Sequence, residues 1–217
     1  MHLPADTTGV TEPPAWLSEF RQRGWYGLVV YRTYYGDGSE KHARQWERVQ
    51  EKIYAMSKEY LPDEPDEDDW PFDQRTKDTW KLHCVDDRAV FDGAGLELVK
   101  GLFARLAHQN MDRRDRVSWL AALVVDREAF DSISAAVEDP AREPRAFVWA
   151  VDPDVDPDDV QENDSEEYRY TGHYRMPLLM LAEFHRVVFN PECDRMYNGW
   201  DMALDTPWPN WRRRGTL

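Results

Sequence analysis

The densest run of β-branched and aromatic residues in the chain is Trp25-Tyr26-Gly27-Leu28-Val29-Val30-Tyr31-Arg32-Thr33-Tyr34-Tyr35. A Gly-Asp-Gly turn at residues 36–38 ends it, so the run predicts the central strand of the fold. Its far end is polar, since Tyr31, Arg32, Thr33, Tyr34 and Tyr35 stand where the strand leaves the core. Polar groups at a strand exit form either a solvated edge or the beginning of a site.

The remaining pattern predicts three further strands and several helices. Apolar residues that recur at steps of three and four residues indicate amphipathic helices, and short alternating or continuous apolar runs indicate strands. The predicted helices cover about 15–23, 40–61, 96–108, 126–137 and 174–189, and the other strands cover 80–85, 117–125 and 146–151.

The order of these elements predicts an α+β fold. With the helix at 96–108 taken as an insertion, the order is strand, helix, strand, strand, helix, strand. This is the ferredoxin-like split β-α-β arrangement, a four-stranded antiparallel sheet with helices on one face and extra helices added. The alternative is a doubly wound α/β sheet, because helices also follow the second and fourth strands. The antiparallel arrangement is preferred, as four strands are few for a wound sheet and no glycine-rich phosphate loop follows the first strand.

Length and composition predict one domain with appendages. The 217 residues are 41% hydrophobic, with a mean hydropathy of -0.78, and no apolar run approaches the length that spans a membrane. The start of the chain lacks the pattern of a secretory signal, and two cysteines fit a reducing compartment, so we expect a cytoplasmic protein. The predicted parts are a disordered lead at 1–14, a single domain at 15–192 and a Trp- and Pro-rich tail at 193–217.

The net charge of -15 is concentrated in two segments. Residues 62–70 hold six acidic residues and residues 152–167 hold nine, with no Lys or Arg in either. The rest of the chain therefore has equal numbers of acidic and basic residues, 27 of each. We expect two acidic, mobile loops on a neutral body.

The candidate small-molecule site consists of residues at or near predicted strand exits. The pattern supplies a tyrosine as proton shuttle, a histidine or aspartate as base and an arginine as anion anchor. Because neighbouring antiparallel strands exit at opposite edges, we do not expect all of them to share one pocket. The structural alternative is that Asp126 caps a helix and that Arg32 pairs with a strand-end carboxylate. The predicted catalytic residues are Tyr34, His83 and His173, and the predicted substrate-binding residues are Arg32, Asp86, Asp126 and Trp149.

The sequence gives weaker indications of anion and nucleic-acid binding. His173 lies at the predicted start of the last helix, where free amides hold anions. Two arginine clusters are candidates for contacts to a nucleic-acid backbone, and tryptophans in the tail are candidate stacking partners. No spacing fits a metal site, and no cofactor is expected. The arginines concerned are Arg113, Arg114 and Arg116 in one cluster and Arg212, Arg213 and Arg214 in the other.

Several segments resemble a broad group of uncharacterised fungal proteins. They are the first strand, with Trp25, Gly27 and Tyr31-Arg32-Thr33, the segment LVVDREAF at 123–130 and the segment GHYRMPLLML at 172–181. The chain is also similar to the fungal arginine-containing cyclodipeptide synthases. That resemblance implies an enzyme that uses arginyl-tRNA and a second aminoacyl-tRNA to form a cyclic dipeptide, and it assigns no role to a numbered residue here.

Two functional hypotheses follow. In the first, the chain is a biosynthetic enzyme of secondary metabolism with an aminoacyl-tRNA and a small-molecule ligand as partners. In the second, it is a non-catalytic ferredoxin-like module that binds a partner through the Trp-rich tail and the acidic loops. An exposed sheet face in such a fold also favours a homodimer.

Overall fold

A computed structural model of the chain describes residues 14–59, 78–110, 117–153 and 172–181, together with Phe184. These residues form a mixed α and β structure around one five-stranded sheet. The helices and strands, in chain order, are α1 (Ala15–Arg23), β1 (Tyr26–Arg32), α2 (Glu40–Glu59), β2 (Trp80–Val85), α3 (Arg88–Phe91), α4 (Leu96–Asn110), β3 (Val117–Val125), α5 (Arg127–Glu138), β4 (Phe147–Val151) and β5 (His173–Pro177). Short 3₁₀ helices cover Pro140–Arg145 and Leu178–Met180.

The strand order in the sheet is β2-β1-β3-β4-β5. The interior strand β1, which is next to the edge strand β2 and not at the centre of the sheet, runs parallel to both of its neighbours, with Tyr26 opposite Trp80 of β2 and Arg32 opposite Val125 of β3. Strands β3 and β4 are antiparallel, and so are β4 and β5. The prediction of four antiparallel strands is therefore wrong in both strand number and direction, although the mixture of helices and strands is confirmed.

The physical reason for this error lies in the connections. The chain from β1 to β2 includes the 20-residue helix α2, and a crossover of this length allows neighbouring strands to run parallel. The apolar periodicity of a strand carries no information about its direction. The nearly continuous apolar runs of β1 and β3 are typical of parallel strands that are covered on both faces.

Helices cover both faces of the sheet, which differs from the predicted single helical layer. On one face, α2 and α5 bury residues such as Val49, Ile53 and Ile133 against Leu28 and Leu123. On the other face, α1, α3 and α4 bury a second core, whose members include Leu17, Phe20, Val29, Phe91, Val99, Phe103 and Val124. The sheet is thus the middle of three layers.

The helix predicted for 174–189 begins as a strand. Residues His173–Pro177 pair with β4, with Met176 opposite Val148, and a 3₁₀ turn follows at Leu178–Met180. The apolar stripe that suggested a helix starts only at Leu178, after Pro177. Leu181 and Phe184 are helical and buried, and the rest of the predicted helix lies outside the described residues.

Most local signals are confirmed. Gly24 ends α1 with a φ of 62°, in the left-handed region that glycine adopts readily. The Ser39 hydroxyl accepts a hydrogen bond from the His42 amide at 3.2 Å, so Ser39 begins α2 as predicted. At the start of the second predicted acidic loop, Asp152 is buried, and its amide donates to the Gly172 carbonyl at 2.8 Å.

No helix among the described residues is both long and apolar enough to cross a membrane. Four predicted segments lie outside those residues: the lead at 1–14 except for its last residue, the loop at 62–70, the remainder of the second loop from 154 and the tail at 193–217.

Candidate functional site

The carboxyl ends of β1, β2 and β3 lie at one edge of the sheet, because these three strands are parallel. This edge carries Arg32 at the end of β1, Asp86 directly after β2 and Asp126 directly after β3. The prediction that neighbouring strands exit at opposite edges therefore does not apply to these three residues. From β1 the chain continues to α2 on one face, and from β2 it continues to α3 and α4 on the other. Connections that diverge in this way leave a crevice at the strand ends, where open α/β sheets bind ligands.

Arg32 is the charged residue at the centre of this edge, and it is only 8% exposed. Its Nε donates to the Tyr34 carbonyl at 3.0 Å, and its Nη1 donates to Asp86 Oδ2 at 2.9 Å. The guanidinium carbon lies 4.3 Å from the centre of the Tyr35 ring and 4.7 Å from that of Trp46. We call Arg32, Tyr35, Trp46 and Asp86 the Arg32 cluster. Stacked rings and two hydrogen bonds hold the guanidinium in one orientation.

The cluster confirms one structural alternative of the sequence analysis, since Arg32 pairs with a strand-end carboxylate. It leaves part of the guanidinium available, however. Within the described chain, Nη2 of Arg32 has no hydrogen-bond acceptor. Asp86 is about one-third exposed, with 37% of its side-chain surface accessible, so solvent or a solute reaches the ion pair from the Asp86 side.

Buried polar atoms without a hydrogen-bond partner concentrate around this cluster. Such atoms are rare in folded proteins, because an unpaired buried donor or acceptor costs about 1–3 kcal/mol. Among the described residues five are found, and four of them lie on the end of β1 or the first half of α2: Thr33 Oγ1, the Tyr35 hydroxyl, His42 Nε2 and Trp46 Nε1.

Of these four atoms, the Tyr35 hydroxyl comes closest to having a hydrogen-bond partner. It makes no hydrogen bond of ordinary geometry, yet the Asp86 carboxylate is close enough to influence its ionisation. Burial first, and then this neighbouring carboxylate, raises the pKa of Tyr35 well above its usual range. The hydroxyl is therefore protonated at neutral pH, and the Asp86 carboxylate is close to it.

Tyr34 and His42 form the part of the edge that faces α5. The Tyr34 ring meets His42 edge-on at 5.1 Å and Phe130 at 5.3 Å, and the Arg127 guanidinium lies 5.8 Å from the Tyr34 ring. His42 is buried with its ring against Gly36, whose φ is +55°. Tyr34 is half-buried, and His42 is buried.

Asp126 has two structural contacts that account for its position. Its Oδ1 accepts a hydrogen bond from the Ala129 amide at 2.9 Å and so caps α5. Its Oδ2 accepts one from the indole Nε1 of Trp149 at 3.0 Å. The predicted substrate-binding residues Asp126 and Trp149 are thus joined to each other, and the hydrogen bonds of Arg32 within the described chain go to Tyr34 and Asp86 instead.

His83 is not brought to the Arg32 cluster. It lies opposite Val29 in the middle of β2, three residues or about 10 Å before the level of Asp86. Its ring stacks on Trp16 of α1 at 4.1 Å, with an angle of 13° between the planes. Burial lowers the pKa of His83 from 6.5 to about 4. The ring is therefore neutral at pH 7 and packs as a partly buried residue against α1.

This low pKa predicts a pH-dependent stability. The unfolded chain takes up a proton near pH 6.5, whereas the folded chain takes it up only near pH 4, so stability is lost as the pH falls through this window. We expect His83 to account for about 1 kcal/mol of this loss, since partial exposure screens the effect. Urea unfolding of His83→Phe at several pH values should show a shallower loss than the wild-type protein. An equal slope in both proteins would contradict this, and His108→Phe, at an exposed position, is the control.

His173 lies three strands away from β1, on the edge strand β5, which is about 14 Å. It opens that strand instead of the predicted helix. Its ring is 5.8 Å from that of Trp149, and Arg175 on the same strand pairs with Glu128 at 2.5 Å. The three predicted catalytic residues, Tyr34, His83 and His173, therefore occupy three separate environments.

The sequence analysis missed Tyr35, His42 and Trp46 as site residues. The available signals were the two glycines after β1 and a histidine in the first turn of the next helix, a position that matters only if the strands are parallel. The arginines predicted to contact nucleic acid, Arg113, Arg114, Arg116, Arg212 and Arg213, lie outside the described residues. Within the described ranges, no group of three His, Cys, Asp or Glu side chains is placed to hold a metal ion.

The geometry thus defines a three-layer domain of helices and mixed sheet, with a candidate ligand site at the carboxyl edge of its parallel strands. Comparison of the chain with protein-family models, with curated proteins and with solved structures finds no match.

Proposed function

We propose that the chain is a small-molecule enzyme whose substrate-binding site is the Arg32 cluster, with Arg32 as the anchor for an anionic group. The observation that carries this proposal is that three buried polar atoms, Thr33 Oγ1, His42 Nε2 and Trp46 Nε1, lack a partner among the described residues, close to an arginine that is already oriented. A guanidinium in a fixed orientation binds carboxylate or phosphate through parallel hydrogen bonds. The position at diverging strand ends supports the same assignment.

The structural cost of the cluster also supports a ligand. The Arg32–Asp86 ion pair is enough to join β1 to β2, but Trp46 Nε1 and His42 Nε2 still have no partner within the part of the chain that the structure describes. A fold that needed only to join two strands would gain stability from apolar residues at these positions. Retention of several unpaired polar groups at one edge is typical of a site that is completed by a bound molecule.

For the reaction, we retain the tRNA-dependent formation of an arginine-containing cyclic dipeptide, which the sequence resemblance implies. In this reaction the anion at Arg32 would be a phosphate near the acceptor end of the aminoacyl-tRNA. The exposed carboxylate of Asp86 is a suitable partner for the guanidinium of an arginyl group.

Expression in a heterologous host followed by metabolite profiling tests this reaction. We expect the wild-type chain to yield a new arginine-containing diketopiperazine, and Arg32→Lys to lower its amount at least tenfold, because the ammonium cannot form the forked hydrogen bonds. His173→Ala, at the far edge of the sheet, should retain most of the product.

Three other results would each contradict part of the proposal. Absence of any new mass from the wild-type chain would exclude the reaction and favour the binding-module hypothesis. Equal product from Arg32→Lys would exclude Arg32 as the anchor. Loss of product in His173→Ala but not in Arg32→Lys would place the site on β5.

A further inference from the structure

The first half of α2 presents two unpaired nitrogen atoms on one side. His42 and Trp46 are four residues apart, so their side chains are neighbours on the helix, with about 6 Å between their Cβ atoms. Both are buried, and neither His42 Nε2 nor Trp46 Nε1 has a hydrogen-bond partner. The Trp46 ring also stacks on the Arg32 guanidinium. Trp46 is therefore a neighbour of both His42 and Arg32, the proposed anion anchor.

The surroundings of His42 explain its orientation but not its free nitrogen. Its ring lies 4.7 Å from that of Phe130 and 5.1 Å from that of Tyr34. An added Cβ at Gly36 would lie 2.6 Å from His42 Nδ1, so only glycine at this turn leaves room for the imidazole. A phenylalanine would fill the same space without a buried polar atom. Packing alone therefore does not explain why an imidazole occupies this position.

The donors and acceptors on this side of α2 differ in kind. The indole N–H of Trp46 and the free Nη2 of Arg32 can only donate, so together they suit an oxyanion. Nε2 of His42 either donates or accepts, depending on the tautomer, and so suits a hydroxyl group. Trp46 contacts Arg32 and lies one helical turn from His42, so the order of the three residues is Arg32, then Trp46, then His42.

From this order we infer that the site takes an anion that carries a hydroxyl group a few bonds away, with the anion at Arg32 and Trp46 and the hydroxyl at His42. A hydroxy acid and a sugar phosphate share this chemistry. This inference rests on the proposed function of the Arg32 cluster and specifies the class of its ligand.

Matched pairs of small anions test the inference on the full chain. The pairs are propionate with β-hydroxypropionate, butyrate with γ-hydroxybutyrate, and methyl phosphate with glycerol phosphate. Dissociation constants are measured from amide chemical shifts in NMR titrations. In at least one pair we expect the hydroxylated member to bind about three- to tenfold more tightly, as one additional hydrogen bond allows. The pair that shows the preference distinguishes a carboxylate from a phosphate ligand.

The variant His42→Phe should reduce this ratio to about one, whereas His108→Phe, the same change at an exposed position of α4, should leave it unchanged. If His42→Phe does not fold, the Nε2 resonance of His42 in the wild-type protein gives the same information, since it should shift with the hydroxylated anions and not with their parents.

The outcomes separate the two proposals. Parent anions that bind through Arg32 with no preference for a hydroxyl would overturn the inference and leave the proposed function intact, with His42 holding a buried water only. A preference that persists in His42→Phe would also overturn it. If none of the anions binds, both proposals fail.

Discussion

Replacement of Gly27 by alanine should prevent this chain from folding, or should lower its free energy of unfolding by at least about 3 kcal/mol. Gly27 lies in β1 opposite Lys81 of β2. A Cβ atom at this position would stand 1.7 Å from the Lys81 carbonyl oxygen and 3.4 Å from a ring carbon of Phe20. The obstacle is backbone of the neighbouring strand, so no change of rotamer relieves it.

The energetic reason is the position of Gly27 in the sheet. Glycine inside a strand is typical of a site where another backbone approaches closely, as Lys81 of β2 does here. On its other side, the pairing of β1 with β3 shifts its register between Gly27 and Val29. Separating β1 from β2 by the distance that a methyl group requires would break the parallel ladder from Tyr26 onward. Urea unfolding followed by tryptophan fluorescence measures the effect, because Trp80 of β2 is buried in the core.

Gly101→Ala is the matched control for this experiment. Gly101 lies inside α4 and is exposed, and among the described residues no atom other than the backbone of its own helix lies within 4 Å of the Cβ that alanine would add. We expect this variant to be more stable than the wild-type chain by about 0.5–1 kcal/mol, since alanine favours a helix interior. Equal stability of Gly27→Ala and Gly101→Ala would show that β1 and β2 are not paired in this register.

The variant Arg32→Met should lower the free energy of unfolding by about 2–3 kcal/mol and weaken anion binding at least tenfold. It removes the hydrogen bonds to the Tyr34 carbonyl and to Asp86, and hydrogen bonds of a charged group contribute about 1.5–3 kcal/mol. Asp86 is partly exposed, so its carboxylate remains solvated after the change and the cost stays below that of a fully buried pair.

Arg127→Met is the control for Arg32→Met. Arg127 also lies over a tyrosine ring, but its side chain is 78% exposed and its nearest acid, Asp131, is 3.9 Å away. Its loss should change stability by less than about 0.5 kcal/mol. If the two substitutions had the same effect in urea unfolding, the Arg32 guanidinium would not be held as described.

Local structure was largely predictable from the sequence, because it depends on neighbouring residues. The bounds of β2 and β3, the glycine that ends α1 and the caps formed by Ser39 and Asp126 are all confirmed. Each follows from the chemistry of a few adjacent side chains.

Strand direction was not predictable in this way. The sequence therefore did not show which residues come together in the Arg32 cluster. In the predicted split β-α-β sheet another strand separates β1 from β2, whereas the direct parallel pairing of β1 and β2 brings Arg32 and Asp86 to 2.9 Å. His42 and Trp46 were assigned to a helix and a core stripe, and only the tertiary structure shows that their nitrogen atoms lack partners. His83 was attractive as a strand histidine, but its contact with Trp16 depends on where α1 packs.

The central claim is that the Arg32 cluster binds a ligand and is not only a join between two strands. The most direct test is to follow the side-chain nitrogen resonances of Arg32 in the isotope-labelled full chain while propionate or methyl phosphate is added. We predict that the Arg32 resonances shift and saturate together with the indole resonance of Trp46. Resonances of Arg32 that stay unchanged while exposed arginines such as Arg127 shift weakly and without saturation would contradict the claim.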